Sequence, residues 1–216
     1  MKFILSLHAK NTFFLFFALF LFFSCYKSKD DNFSATALSL VKLGVRKVNI
    51  AGDSLSQRSG GFSLSMKLGS GYSVKDFSVS GRTQVEWIND ISRVMDPNPD
   101  ILIVELGTND AVNSTNTEFI SHLNHLLIEV EKRTTAKIIL TAIPLTDNPI
   151  LQERIKQNNT YIRTLKGKYF IADIEAEFEK NKSQFRLYPI NDNIHPEPIG
   201  YEIMGEVYKS VILGIL

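Results

Sequence analysis

The 216-residue chain carries 24 Lys and Arg against 23 Asp and Glu, and a single cysteine. That charge balance gives no electrostatic reason to expect nucleic acid or another polyanion as a partner. The length suits one domain with a sizeable core, and one cysteine cannot form an internal disulfide.

The first segment reads as a leader. Lys2 and Lys10 are basic, residues 12–23 are almost uninterrupted Phe, Leu and Ala, and the small Ser24 precedes Cys25. Such a series describes a secretory signal peptide over 1–24, and its apolar run is shorter than the ~20 residues of a spanning helix. Phe22-Phe23-Ser24-Cys25 resembles a bacterial lipobox, with Phe22 where Leu is usual. Cys25 is therefore expected to carry lipid and to become the mature N-terminus. Several acyl chains would then anchor the protein firmly, which one chain alone does not. Residues 25–44 would be the lipidated cysteine and a tether, with a short helix over 35–43. The expected location is the bacterial cell envelope, periplasmic or at the surface. Removing 1–24 leaves 192 residues with 22 Lys and Arg against 23 Asp and Glu, still essentially neutral.

Beyond the tether the chain alternates. Residues 46–51 form a short apolar run ending at Gly52, a strand. The stretch 61–68 fits a helix with Gly69 and Gly71 to stop it, and 74–79 alternates as a strand ending near Gly81. Val85, Ile88, Ile91 and Met95 recur at helical spacing over 83–95, before Pro97 and Pro99. The run 101–106 reads as a strand buried on both faces. Helix over 117–132, with Ile120, Leu123, Leu127 and Val130 on one face, leads to a strand over 136–143. Helix over 150–165, a strand over 169–174 and a last helix over 198–212, with Pro198 in its first turn, complete the series. Five strands separated by helices predict an α/β fold. The expected form is a single three-layer α/β/α domain over 45–216 with a five-stranded parallel sheet in the flavodoxin-like order 2-1-3-4-5.

Three segments fall just after the first and third predicted strands and near the C-terminus: Gly52-Asp53-Ser54, Gly107-Thr108-Asn109-Asp110 and Asp192-Asn193-Ile194-His195. Sites in doubly wound sheets form outside the carboxyl ends of the strands. In the order 2-1-3-4-5, the loops holding Ser54, Gly81 and Asn109 leave neighbouring strands and converge. A serine hydroxyl needs a base to take its proton. His195 is the preferred base because Asp192, three residues earlier, can reach its Nδ1–H in a turn and fix the tautomer.

Gly52-Asp53-Ser54-Leu55-Ser56, Val79-Ser80-Gly81-Arg82-Thr83, Gly107-Thr108-Asn109-Asp110 and Asp192-Asn193-Ile194-His195-Pro196 together resemble the blocks of the SGNH hydrolases, the GDSL esterase/lipase family. The resemblance covers roughly 46–212. It implies a serine ester hydrolase with Ser54 as nucleophile, His195 as base and Asp192 as its partner. It also implies an oxyanion hole of the Ser54 and Gly81 backbone N–H groups and the Asn109 side chain. The expected substrates are short-chain acyl esters, acetylated glycans or lysolipids, with no cofactor and no metal.

Other features read more plainly. Asp53 and Asp110 are expected to support their loops. Glu118, His122, His125 and Glu129 share one helical stripe, which reads as a solvated polar face rather than a metal site. Trp87 reads as packing. Gly52-x-Ser54-x-Ser56 lacks the last glycine of the Gly-x-Ser-x-Gly elbow, which disfavours an α/β-hydrolase. A surface lipoprotein that binds glycan or lipid without turnover is the competing reading, and the presence of Ser54, Asn109 and His195 argues against it.

Overall fold

A computed structural model describes residues 44–215; the leader, Cys25 and most of the tether lie outside the described residues. Five strands form one all-parallel sheet in the order β2-β1-β3-β4-β5. They are β1 (Arg46–Gly52), β2 (Tyr72–Asp76), β3 (Ile101–Glu105), β4 (Lys137–Ala142) and β5 (Phe170–Asp173). The helices are α1 (Ser54–Arg58), α2 (Leu64–Leu68), α3 (Gln84–Asp90), α4 (Thr108–Asn113), α5 (Asn116–Glu131), α6 (Pro149–Thr164), α7 (Ile174–Asn181) and α8 (Pro198–Gly214). Short 3₁₀ turns precede α2 and follow α3.

Side chains alternate across a strand with period two, so each central strand feeds two cores. Ala51, Leu102, Val104, Ile138 and Leu140 point to one face, where Trp87, Phe119, Leu123, Leu151 and Ile155 of α3, α5 and α6 cover them. Val48, Ile50, Ile101, Ile103 and Ile139 point to the other, under Leu55, Leu64, Phe178, Met204 and Tyr208 of α1, α2, α7 and α8. This is the three-layer sandwich and strand order that the sequence pattern implies.

Several boundaries differ from expectation. β2 pairs with β1 from Arg46↔Tyr72 to Ile50↔Asp76, so it starts earlier than 74 and ends before 79. Beyond it, Phe77 and Val79 still donate to the carbonyls of Ile50 and Gly52, which carries the chain alongside β1 as far as Gly81. The helix over 61–68 is broken, because Phe62 and Ser63 adopt left-handed backbone. That conformation delivers the buried Phe62 ring to within 4.8 Å of Tyr208. The helix over 83–95 divides into α3, closed at its start by a Thr83/Glu86 capping box, and a 3₁₀ turn. Its fully buried residues are Gln84, Trp87, Ile91 and Val94; of the expected stripe of Val85, Ile88, Ile91 and Met95, Ile91 is buried, Ile88 and Met95 are partly buried against the core, and Val85 is exposed. Helices α1, α4 and α7 begin within three residues of a strand end and were not expected.

Candidate active site

Because every strand runs the same way, the loops after β1, β2, β3 and β4 all leave one edge of the sheet. β1 ends at Gly52, where a Cβ would lie 2.1 Å from Ser56 Oγ and 2.6 Å from Ser78 Oγ, so only glycine fits this turn. Asp53 then caps α1, its Oδ1 accepting from the Leu55 N–H at 2.9 Å. Ser54 takes the first helical position, where a backbone N–H has no intrahelical partner. Trp87 does more than pack: its indole N–H donates to the Gly52 carbonyl at 3.1 Å, holding the end of β1.

The segment between α7 and α8 supplies the other half. Asp192 Oδ1 accepts from the N–H groups of Ile194 (3.1 Å) and His195 (2.9 Å), which closes a tight turn. Its Oδ2 lies 2.8 Å from His195 Nδ1, and His195 Nε2 lies 2.8 Å from Ser54 Oγ. With Nδ1–H donated to Asp192, Nε2 is left to accept the Ser54 O–H. Partial burial acts to raise the Asp192 pKa, but the two backbone N–H groups and the His195 ring outweigh it and hold the carboxyl down to about 2. Arg58 reaches the same Oδ2 at 3.4 Å, an exposed pair of small energetic worth. A hydroxyl, an imidazole and a fixed carboxylate in this line can move a proton off the oxygen as it attacks an electrophile.

Asn109, in the first turn of α4, is tied to the same place. Its Nδ2 donates to Asp53 Oδ2 at 3.0 Å and to the Arg82 carbonyl at 3.1 Å, which engages both amide protons. Gly81 lies one residue earlier, exposed, in a turn closed by Arg82 N–H to Val79 C=O at 3.2 Å. Its φ of +81° explains why glycine stands there. Ser80 N–H donates to Gln57 Oε1 at 3.0 Å, joining that turn to α1. The Arg82 guanidinium lies 4.8 Å over the Trp87 ring and 2.8 Å from Asp90.

One residue of this cluster was not foreseen. Glu105, at the end of β3, is 1% exposed, and its Oε2 accepts from Ser56 N–H at 3.3 Å, with Asp53 N–H at 3.5 Å. A carboxylate inside an otherwise apolar strand buried on both faces was the signal. Burial, reinforced by the nearby Asp53 charge, pushes Glu105 well above the usual carboxylate range. Burial raises Asp53 to about 7, although the Leu55 N–H works the other way. Asp110 supports its loop by accepting from Gln84 N–H at 3.0 Å, and burial raises it to about 6. His122 corrects the expectation of a wholly solvated stripe: it is half-buried, with Nδ1 shielded and close enough to act on Asp110, while His125 is exposed.

Hollow volume alone would point elsewhere. A cavity of about 540 Å³ lies between α7 and α8 and touches none of Ser54, Asn109, Asp192 or His195. The hydrogen-bond geometry is the better guide to chemistry.

The model of the GDSL-like lipase/acylhydrolase family matches residues 50–203. No curated protein matches the chain in sequence. Among solved structures, a lipase/acylhydrolase from Enterococcus faecalis superposes with a TM-score of 0.69 at 20% identity, covering 79% of this chain and 97% of that one. A member of the lipolytic G-D-S-L family from Veillonella parvula gives 0.68 at 14% identity, over 78% and 98%. An acetylxylan esterase from Geobacillus stearothermophilus gives 0.62 at 16% identity, over 78% and 94%. These likenesses establish a shared fold. The family match spans most of the chain, including the segments that hold Ser54, Gly81, Asn109, Asp192 and His195, and so the chain belongs to the GDSL-like lipase/acylhydrolase family of hydrolases.

Proposed function

We propose that the protein is a serine carboxylic ester hydrolase that works through an acyl-serine intermediate. The observation that carries this reading is the line from Ser54 Oγ through His195 to Asp192, with 2.8 Å at each step. His195 Nε2 takes the Ser54 proton as Oγ attacks the ester carbonyl, and the imidazolium returns that proton to the departing alcohol. Water, activated by the same nitrogen, then releases the acid. Asp192 holds the ring and offsets its developing charge. The oxyanion is received by the Ser54 and Gly81 N–H groups and by Asn109. Because both Asn109 Nδ2 protons are already held, this last donor exchanges the Arg82 carbonyl for the substrate oxygen, while buried Asp53 keeps the amide aimed.

The substrates of this reading are short-chain acyl esters, acetylated glycans or lysolipids. Two structures of the acetylxylan esterase are of catalytic mutants in which a histidine and an aspartate three positions apart are replaced by alanine. The spacing is that of Asp192 and His195, which supports the assignment. Incubation of residues 26–216 with a fluorophosphonate probe and with 4-nitrophenyl acetate tests it. The expected result is covalent labelling and turnover, both lost in Ser54→Ala. No labelling and no turnover by the unaltered protein would rule the reading out.

We also propose that the protein is exported and held at the cell envelope by lipid on Cys25, from the leader and lipobox-like residues before it. Full-length protein should partition with membranes and Cys25→Ala should not. Equal partitioning of the two would remove the anchor.

A further inference from the structure

The turn that carries Gly81 has little packing to hold it. Ser80 and Gly81 are exposed, and no atom lies within 4 Å of the position that a Gly81 Cβ would take. Polar tethers therefore set its place. Val79 N–H donates to the Gly52 carbonyl at 3.2 Å, Arg82 N–H closes the turn on the Val79 carbonyl, and Ser80 N–H reaches Gln57. The Arg82 carbonyl accepts from Asn109 at 3.1 Å, and this last tether is the one that the proposed reaction breaks. Asn109 gives up that carbonyl for the substrate oxygen, so the turn loosens at the step in which Gly81 N–H must hold the oxyanion. A catalytic donor has to stay within ~0.5 Å of its productive place. Something else must hold the turn at that moment.

The Arg82 side chain supplies that hold. Its guanidinium lies 4.8 Å over the ring of the fully buried Trp87, and its Nη1 stands 2.8 Å from Asp90 Oδ2 at the end of α3. Asp90 also meets Arg93 at 3.8 Å. A partly exposed ion pair alone is worth little. A flat guanidinium stacked on a ring and paired at its edge is fixed in two directions. The ring is fixed in turn, because the Trp87 indole N–H donates to the Gly52 carbonyl at 3.1 Å, the same oxygen that receives Val79 N–H. Gly52 stands two residues before Ser54, and Val79 two residues before Gly81. The series Asp90, Arg82, Trp87 and Gly52 is thus a brace between the loop after β2 and the end of β1, the two segments that bear backbone donors to the oxyanion.

A cation at this place invites another role, the binding of an anionic group on the substrate. The Arg82 side chain is only 22% exposed, one of its faces lies against Trp87, and Asp90 already offers it a carboxylate. Those contacts suit a brace better than a ligand site. We propose that Arg82 is a positioning residue of the ester hydrolysis: its side chain keeps the Gly81 N–H on the oxyanion while its carbonyl releases Asn109. One residue thereby serves both donors, Asn109 through the backbone and Gly81 through the guanidinium.

This inference rests on the esterase reading, and the test separates the two. Turnover of 4-nitrophenyl acetate and the rate of fluorophosphonate labelling would be measured, well below each Tm, for the unaltered protein, Arg82→Ala, Arg82→Lys, Asn109→Ala and Arg82→Ala/Asn109→Ala. Arg82→Ala should lower kcat by about ten- to hundredfold with KM nearly unchanged, and labelling should slow with it. Arg82→Lys keeps a charge beside Asp90 but not the flat stack, so its kcat should fall less, with the same split. That variant carries the test if Arg82→Ala does not fold. The double variant should lose less than the product of the two single losses, since both residues serve one oxyanion. Unchanged kcat and labelling in the Arg82 variants would overturn the brace. So would a loss confined to KM, which makes Arg82 a substrate contact, or single losses that multiply in full. An unaltered protein with neither turnover nor labelling would instead remove the esterase reading, and this role with it.

Discussion

His195 touches Asp192 with one ring nitrogen and Ser54 with the other, so its tautomer decides whether it can act as a base. Asp192→Asn makes this testable. The amide oxygen can still accept from the Ile194 and His195 N–H groups, so the turn is expected to survive. Its NH₂ then faces Nδ1, which forces the ring proton onto Nε2, against the Ser54 hydroxyl. The expected loss in kcat is on the order of 10⁴ with little change in Tm, and a variant retaining most of its activity would remove Asp192 from the mechanism. Asn109→Ala should lower kcat by about 10²–10³, the usual effect of losing one oxyanion donor. A change confined to KM would instead make Asn109 a ground-state contact. The Asp192–His195 contact was legible because it depends only on a three-residue spacing. The hold of Asp53 and Arg82 on Asn109 was not, since it joins three loops that meet only once the sheet has formed.

Among the elements, the segment from β1 into α1 is the most constrained. Gly52 is enclosed by Ser56, Ser78 and Glu105, and its carbonyl accepts from both Trp87 and Val79. Ser56 and Ser78 hydroxyls are themselves bonded, so neither withdraws freely from an added methyl. Gly52→Ala is expected to destabilise the fold by about 1–3 kcal/mol, the usual cost of overpacking, and to reduce activity further by moving Ser54. A denaturant midpoint within error of the unaltered protein would show that the turn yields. Central strands and the long helices α5, α6 and α8 were readable because burial imposes a clear period on them. The short elements were not. α3 turns a different face inward because Gln84 is buried with its N–H on Asp110, a polar anchor that a hydrophobic pattern cannot reveal. Phe62 takes left-handed backbone to meet Tyr208 on distant α8, a tertiary demand that overrides local preference.

Across the whole molecule, the strand order was legible because βα alternation and buried strands leave few alternatives. What that order produces is less visible in sequence: β1 and β3 are neighbours in register from Val48↔Ile101 to Gly52↔Glu105, which plants a carboxyl beneath the Ser54 turn, inside the core. Burial and the Asp53 charge both oppose ionisation of Glu105 and push its pKa well above the ordinary carboxylate range. The unfolded chain loses the Glu105 proton near the ordinary value of 4.5, whereas the raised pKa moves that loss to higher pH in the folded chain. The folded state therefore binds more protons over that interval, and stability falls as pH rises through it. Asp53, raised to about 7, acts in the same direction. Glu105→Gln retains a neutral acceptor for the Ser56 N–H and removes one of the two titrations. Its Tm relative to the unaltered protein should accordingly rise as the pH is raised from about 5 into the alkaline range, with the difference smallest at the acid end. Thermal unfolding of both proteins across that range provides the measurement. Parallel curves would mean that Glu105 titrates alike in the folded and unfolded chains, and that the buried carboxyl does not tie stability to pH.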